Sequence, residues 1–342
     1  MNAQNTLRVL VNPKSGMGTS FDSFCGIIES CFGANGAMVT YQFSNDINDG
    51  KQKARQAVSD GVDTLLIAGG DGMVNSIGSE LIGTDVALGV IPTGSGNGFA
   101  RHFGIPLDIS RAIRALADAS RSSIDVGTAN GRPFFVTCSM AWDAAIVRGF
   151  EALPFRGIAP YVFAAATEWM TFIPQPFTIE FDGRETLSFQ EPAICTVANL
   201  TQWGGGAQIA PRARPDDGYM EMVMVRHQDL PLLLMNIGRL FNGTIDQLSQ
   251  VFTRRFRHLA VQRQRSAPIQ VDGELIDAPP DIQIALQHRA LRVLVPRASI
   301  PCPPAPLPGR GLRAGTQKRI RSVFTNRILK KILAARYSPA PK

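Results

Sequence analysis

Residues 64–75, TLLIAGGDGMVN, constrain the fold more than any other stretch of the 342-residue chain. Four consecutive apolar residues, Leu65 to Ala68, run directly into Gly69, Gly70, Asp71 and Gly72, and the polar Asn75 follows. A short apolar run closed by glycines reads as a buried strand of a parallel sheet, because crossover helices cover such a sheet on both faces. Ligand sites collect outside the carboxyl ends of such strands. Glycines there let the backbone approach a ligand closely and turn its N–H groups toward the oxygens of a polyphosphate. Asp71 would then be a carboxylate inside an anion site, a pairing that a bridging Mg²⁺ makes reasonable. Taken alone, the tetrapeptide is equally consistent with a tight turn whose Asp caps a helix.

The surrounding chain repeats the pattern. Strands are expected at 7–11, 38–43 and 86–91, separated by helices at about 20–32, 50–60 and 108–119, which is the alternation of βαβ units. Special loops follow three of the strands: Asn12, Pro13, Lys14, Ser15 and Gly16; the Gly69–Asn75 stretch; and Pro92 to Asn97, PTGSGN. Neither a P-loop nor a dinucleotide fingerprint is present. From about residue 123 the texture changes to short β-like runs at 134–138, 177–181, 193–198, 219–226, 258–262, 269–271 and 282–285, with helical interruptions at 159–172 and 231–241. The expected organisation is an α/β nucleotide-binding domain over 1–124 and a mostly antiparallel β domain over 125–300, whose last strand, 290–295, returns to the first sheet. A proline-rich linker and basic tail would occupy 301–342.

Charge is unevenly placed. The net charge is +7, yet ten of the 35 Lys and Arg and none of the 28 Asp and Glu fall in 309–342, so the remainder is slightly acidic. Within the tail, Ile320, Val323, Phe324, Ile328, Ile332 and Ala335 fall on one helical face among basic residues, a pattern suited to an anionic bilayer surface. The alternatives are docking on the acidic body or on a second subunit, which leaves a homodimer open. Five scattered cysteines without a CxxC pair argue for a reducing compartment and against a zinc site. No signal peptide or 18-residue apolar span is expected.

Two further turns carry acidic residues: PDDG at 215–218 and VDGE at 271–274. With NPKSG, GGDGMVNS, PTGSGNGFAR and GGGAQIAP, in this order and spacing, they make residues 5–297 resemble the diacylglycerol kinase catalytic family, which includes bacterial lipid kinases and the sphingosine and ceramide kinases. The resemblance implies an NAD kinase/phosphofructokinase-like nucleotide domain, a β-sandwich-like lipid-binding domain and an active site in the cleft between them. It implies Mg²⁺-dependent transfer of the ATP γ-phosphoryl group to a lipid hydroxyl, with diacylglycerol as first choice and a sphingoid base, ceramide or phosphatidylglycerol as alternatives. A soluble NAD kinase-like enzyme and a catalytically inactive lipid-binding protein are the competing readings; nucleic acid is not an expected partner. The implied location is cytoplasmic, peripheral to the inner face of the membrane.

Residue by residue, the resemblance assigns the nucleotide to Asn12, Thr40, Gly69, Gly70, Asp71, Gly72, Met73, Asn75, Gly94, Ser95 and Asn97. Asp272 would be the base that takes the proton from the lipid hydroxyl, and Glu274 would support the metal or the base. Asp217 would bind a second Mg²⁺, with the backbone carbonyls of Arg214 and Tyr219, while Asp71 would tie the catalytic metal into the acidic network. Two departures from the family pattern stand out: Met73 in place of Thr after GGDG, and Gly98 in place of Asp after Asn97. Without the company of the other motifs, Asp272-Gly273 would read as a hairpin turn, and PDDG likewise.

Overall fold

The computed structural model describes residues 5–12, 20–144 and 172–297. The loop carrying Lys14, most of the helix expected over 159–172, the proline-rich linker and the basic tail lie outside these residues.

The expected parallel sheet forms from strands β1 (Thr6–Val11), β2 (Met38–Phe43), β3 (Thr64–Gly69) and β4 (Ala87–Pro92), in the order β2-β1-β3-β4. All six residues of β3 and of β4 are buried, because helices pack on both sides of the sheet. The helices are α1 (Phe21–Cys31), α2 (Ile47–Ser59), α3 (Asp71–Leu81), the short α4 (Gly98–His102) and α5 (Ile109–Ala117). Ser20, Asp46 and Asp108 cap α1, α2 and α5, each accepting a backbone N–H three residues on.

The antiparallel half begins with β5 (Ala119–Ala129), β6 (Arg132–Phe134) and β7 (Thr137–Ser139). It continues with β8 (Phe177–Phe181), β9 (Glu185–Phe189), β10 (Pro192–Ala198) and the ribbon of β11 (Gln202–Gly204) and β12 (Ala207–Gln208). Then come β13 (Met220–Arg226), helices α6 (Leu230–Met235) and α7 (Gly238–Phe241), β14 (Val251–Phe256), β15 (His258–Arg263), β16 (Ile269–Val271), β17 (Glu274–Ile276) and β18 (Asp281–Pro296). One sheet, β14-β13-β10-β7-β16-β17, faces the β15-β8-β9 end of the other. Their shared core interleaves Met222, Met224, Cys195 and Val271 with Ile179, Leu259, Val261 and Ile284. Leu230, Leu233 and Leu240 of α6 and α7 cover the opposite face of the first of these sheets.

The strand β18 joins the two halves. It pairs antiparallel with β15 over 281–285 and with β5 through most of its length, and it meets β4 in parallel at Val293 and Leu88. A bulge between Gln287 and Leu291, with Arg289 at φ 50°, separates the two stretches of the β5 pairing.

Candidate active site

The glycines of the GGDG loop have separate steric reasons. A Cβ on Gly69 would lie 2.6 Å from Met73 Sδ, so the Met73 side chain lies back across this glycine. A Cβ on Gly70 would lie 3.0 Å from the Cα of Gly94, so the first and second loops touch backbone to backbone. Gly72 is exposed, with open space where a side chain would stand. Gly70 is the N-cap of α3 and offers no side chain to the helix end. Helix geometry therefore leaves the N–H groups of Asp71 and Gly72 without intrahelical acceptors, as an anion-binding helix terminus requires.

Asp71 does cap a helix, but not its own. Its Oδ2 accepts from Gly98 N at 2.9 Å and its Oδ1 from Phe99 N at 3.0 Å, which fastens the start of α4 to the start of α3. Gly98 has room for a Cβ, which would make only ordinary contacts with Gln202, Val136 and Asp71, so sterics do not explain the departure there. Asn97 adopts φ 52° and closes the second loop on itself: its Oδ1 accepts from Gly94 N and its Nδ2 donates to Gly94 O. Gly94 and Ser95 remain exposed at the loop tip, whereas Asn97 is buried. Asn12 ends β1 at the same edge. Thr40 does not reach that edge. It sits within the outer strand β2, with its hydroxyl turned to Leu7 O.

Asp272 occupies the turn between β16 and β17 at φ 48°, and its carboxylate is enclosed by donors. Oδ1 accepts from Val136 N at 2.8 Å and Thr137 N at 3.0 Å; Oδ2 accepts from Phe135 N at 2.7 Å and Asn75 Nδ2 at 2.8 Å. The expected single run over 134–138 is therefore broken. Phe135 and Val136 lie between β6 and β7, with their N–H groups given to Asp272 instead of a neighbouring strand. From behind, Asn199 holds this segment, donating its Nδ2 to Phe135 O and Asp125 O and its N–H to Val136 O. Burial pushes the Asp272 carboxyl up to about 6, against the opposing pull of these hydrogen bonds on the charged form. A carboxyl raised in this way lies closer to neutral pH than an ordinary carboxylate.

Asn75 joins the nucleotide loop to this carboxylate. Both of its amide protons are committed, one to Asp272 and the other to Pro133 O at 3.1 Å. The Asn75 amide nitrogen is therefore committed to Asp272 and to the backbone before β7.

The expected acidic network does not assemble. Glu274 is largely exposed and pairs with Arg132. Asp217 is held by Arg255 through Oδ2 and by Tyr219 N at 3.1 Å through Oδ1, and the guanidinium groups of Arg255 and Arg257 lie 4.6 and 4.8 Å from the centre of the Tyr219 ring. Arg214 turns toward Asp216. Among the described residues no group of three or more His, Cys, Asp or Glu converges to hold a metal. A resident Mg²⁺ does not fit at Asp217, because Arg255 already supplies the cation, nor at Asp71, whose two oxygens hold backbone N–H groups.

Asp125 is a structural centre that motif reading missed. It is fully buried; Oδ2 accepts from Gly218 N, and Oδ1 lies 2.7 Å from both His288 Nδ1 and Arg289 N. One side chain thus ties the PDDG turn and the β18 bulge to β5.

Comparison with known proteins agrees with this architecture. Residues 6–129 match the family model described as the diacylglycerol kinase catalytic domain, and residues 137–295 match the YegS C-terminal NAD kinase beta sandwich-like domain. A diacylglycerol kinase of Mycobacterium tuberculosis is 29% identical over 295 residues, covering 84% of this chain and 94% of the relative. A diacylglycerol kinase of Staphylococcus aureus is 26% identical over 235 residues, covering 67% and 73%. The crystal structure of a diacylglycerol kinase from Bacillus anthracis superposes with a TM-score of 0.66 at 18% identity, over 86% of this chain and 98% of that one, which shows a common fold. Over residues 6–129 the chain belongs to the diacylglycerol kinase catalytic domain family, and over residues 137–295 to the YegS C-terminal beta sandwich-like family.

Proposed function

We propose that this kinase transfers the γ-phosphoryl group of ATP to the hydroxyl of a membrane lipid, diacylglycerol being the acceptor of first choice and phosphatidic acid its product. The observation that carries the reading is the half-buried Asp272 carboxylate, tethered through Asn75 to the helix whose N-terminus carries the GGDG loop. In the proposed step the lipid oxygen forms a bond to the γ-phosphorus, the bond from that phosphorus to the β,γ-bridging oxygen breaks, and ADP leaves. The hydroxyl proton passes to Asp272 Oδ2. The amides at the start of α3 and the backbone of the second loop would receive the phosphates, since phosphoryl transfer asks a protein chiefly for positioning and charge stabilisation. Mg²⁺ is proposed to arrive with the nucleotide, neutralising phosphate charge, rather than to reside in a protein cage.

The acceptor lives in a bilayer, and the described residues include an apolar surface suited to one. Leu232, Leu234, Met235, Ile237 and Phe241 on and between α6 and α7 are 39%, 41%, 83%, 43% and 51% exposed. Arg239 is the only charge between residues 230 and 244. Such a patch exceeds the scattered apolar residues of an ordinary surface. We propose peripheral membrane contact through this patch, supplemented by the basic tail.

The test is phosphorylation of a total lipid extract with labelled ATP and Mg²⁺, the product being resolved by mass. Asp272→Asn should abolish label incorporation in a folded protein that still binds ATP, at a cost in melting temperature because its amide nitrogen meets N–H donors where the carboxylate oxygen accepted them. A variant with near wild-type turnover would remove Asp272 as the base.

A further inference from the structure

We propose that Asn75 is the positioning residue of the base: its amide occupies the acceptor position on Asp272 that the lipid hydroxyl must take, and gives it up when the acceptor binds. The inference rests on the kinase reading above and adds a residue role to it.

An ionised carboxylate offers about four hydrogen-bonding positions. On Asp272 four are filled, two on each oxygen. A hydroxyl that is to lose its proton to this group must therefore displace a donor. Three of the four donors are main-chain N–H groups of residues 135–137, a segment pinned on its carbonyl side by Asn199. Removing any of them means dismantling the backbone between β6 and β7. The fourth donor is a side chain, and rotation about its own bonds releases it.

The orientation of that amide is fixed by its surroundings. Its nitrogen faces the Asp272 carboxylate and Pro133 O, both acceptors, so the flipped amide would set oxygen against oxygen twice. Asn75 stands one helical turn beyond Asp71 on α3, so both side chains emerge on the same face. Asp71 holds the second loop and Asn75 reaches Asp272, so the first turns of α3 link the proposed phosphate site to the proposed proton acceptor until the acceptor displaces the amide. Other ionisable groups around Asp272 do not donate to it. Glu274 and Arg132 pair with each other, Asp71 is bound to α4, and Cys138 on β7 is a buried thiol whose ionisation burial opposes.

The test uses the full chain, ATP with Mg²⁺, and dioctanoylglycerol in detergent micelles. It follows kcat/KM against pH for wild type, Asn75→Ala and Asn75→Asp. Loss of a donor to the charged carboxylate should move the acidic limb upward by about half a pH unit in Asn75→Ala, and a second carboxylate at the same place should move it further in Asn75→Asp. KM for the lipid should not rise in Asn75→Ala, since the hydroxyl no longer displaces an amide. Should either variant be too slow to assay, ¹³C carboxyl NMR titration, with the Asp272 signal identified by its loss in Asp272→Asn, reads the same shift without turnover. An unmoved limb, or an unmoved carboxyl titration, in the folded variants overturns the inference even if kcat falls. A wild-type protein that phosphorylates no lipid would instead overturn the kinase reading, and the NMR titration would still decide the role of Asn75.

Discussion

Gly70 and Gly94 approach so closely that neither can carry a side chain: a Cβ on Gly70 would stand 3.0 Å from Gly94 Cα, and one on Gly94 would stand 2.6 Å from Gly70 Cα. The contact sets the gap between the two loops proposed to receive the phosphates. Gly94→Ala must push them apart, and because the clash is with backbone, no rotamer change relieves it. The expected cost is about 1–3 kcal/mol in stability. ATP affinity should fall roughly tenfold or more, since about 1.4 kcal/mol of lost binding energy suffices for that. Calorimetric titration of the folded variant with ATP checks this; unchanged affinity would mean the nucleotide does not span the two loops.

The proposed base imposes a pH dependence with a defined sign. Asp272 accepts a proton only when ionised, and burial holds its carboxyl at about 6, above the ordinary carboxylate value. Activity on a micellar lipid should therefore fall as the pH drops through about 6. The same shift acts oppositely on stability: the folded state binds this proton more tightly than the unfolded chain, so between the ordinary carboxylate value and about 6 the Asp272 contribution to stability declines as pH rises. In Asp272→Asn that decline should disappear from the melting curve. A wild-type acidic limb near pH 4 would argue for a different acceptor of the proton.

At the PDDG turn an arginine takes the position where a cation was expected. Burial raises the Asp217 carboxyl while Arg255 pulls it down, and the pair needs no further counter-ion. Chelation by EDTA should leave the melting temperature of the nucleotide-free protein unchanged within roughly 1 °C, whereas losing a bound ion worth about 3 kcal/mol would lower it by roughly 4 °C in a chain of this length. Arg255→Gln frees Asp217 Oδ2, and in that variant added Mg²⁺ should raise the melting temperature. Thermal scans with and without metal decide it, and a wild-type protein destabilised by EDTA would restore a resident ion.

Membrane contact divides into an apolar and an electrostatic part. Replacing Met235 and Phe241 by Glu should weaken co-sedimentation with anionic vesicles by roughly tenfold per residue, since fully burying a side chain of this type is worth about 1.5–3 kcal/mol. Removing residues 309–342 should instead erase most of the salt sensitivity of binding, because each basic residue near an anionic surface contributes on the order of 1 kcal/mol. Neither change should alter transfer to a micellar short-chain lipid. Equal sedimentation of all three proteins would place the contact elsewhere or assign these surfaces to a second subunit.

The parallel half was legible because its signals are local. Buried runs such as Leu65 to Ala68 announce strands within a few residues, and the helices expected from about 20 and 108 begin just after the caps Ser20 and Asp108, whereas α2 starts at Ile47 behind Asp46 rather than at 50. The antiparallel half was less so. β14, VFTRRF, carries Thr253, Arg254 and Arg255 at its centre and offers no clean alternation, and β18 appeared as two strands because its bulge is filled by the polar Gln287, His288 and Arg289. Residues 231–241 looked like one helix but form two short ones with Asn236 and Ile237 between them. At the site, the motifs located Asp272 and the glycine loops, whereas Asp125 and Asn199 act through the backbone of distant segments and leave no mark in local spacing. Glu274 shows the converse: its place in the DGE triplet suggested chemistry, yet the geometry gives it a surface ion pair with Arg132.

The route of β18 also orders the assembly of the protein. The β4 edge of the parallel sheet is completed by Val293, which is synthesised about 200 residues after its partner Leu88. Until then the newly made amino-terminal half presents an unpaired strand edge, the kind of surface that recruits other chains. A nascent chain of this fold therefore has to keep its nucleotide half waiting, and an early stop anywhere before β18 would release an open sheet rather than a smaller working domain.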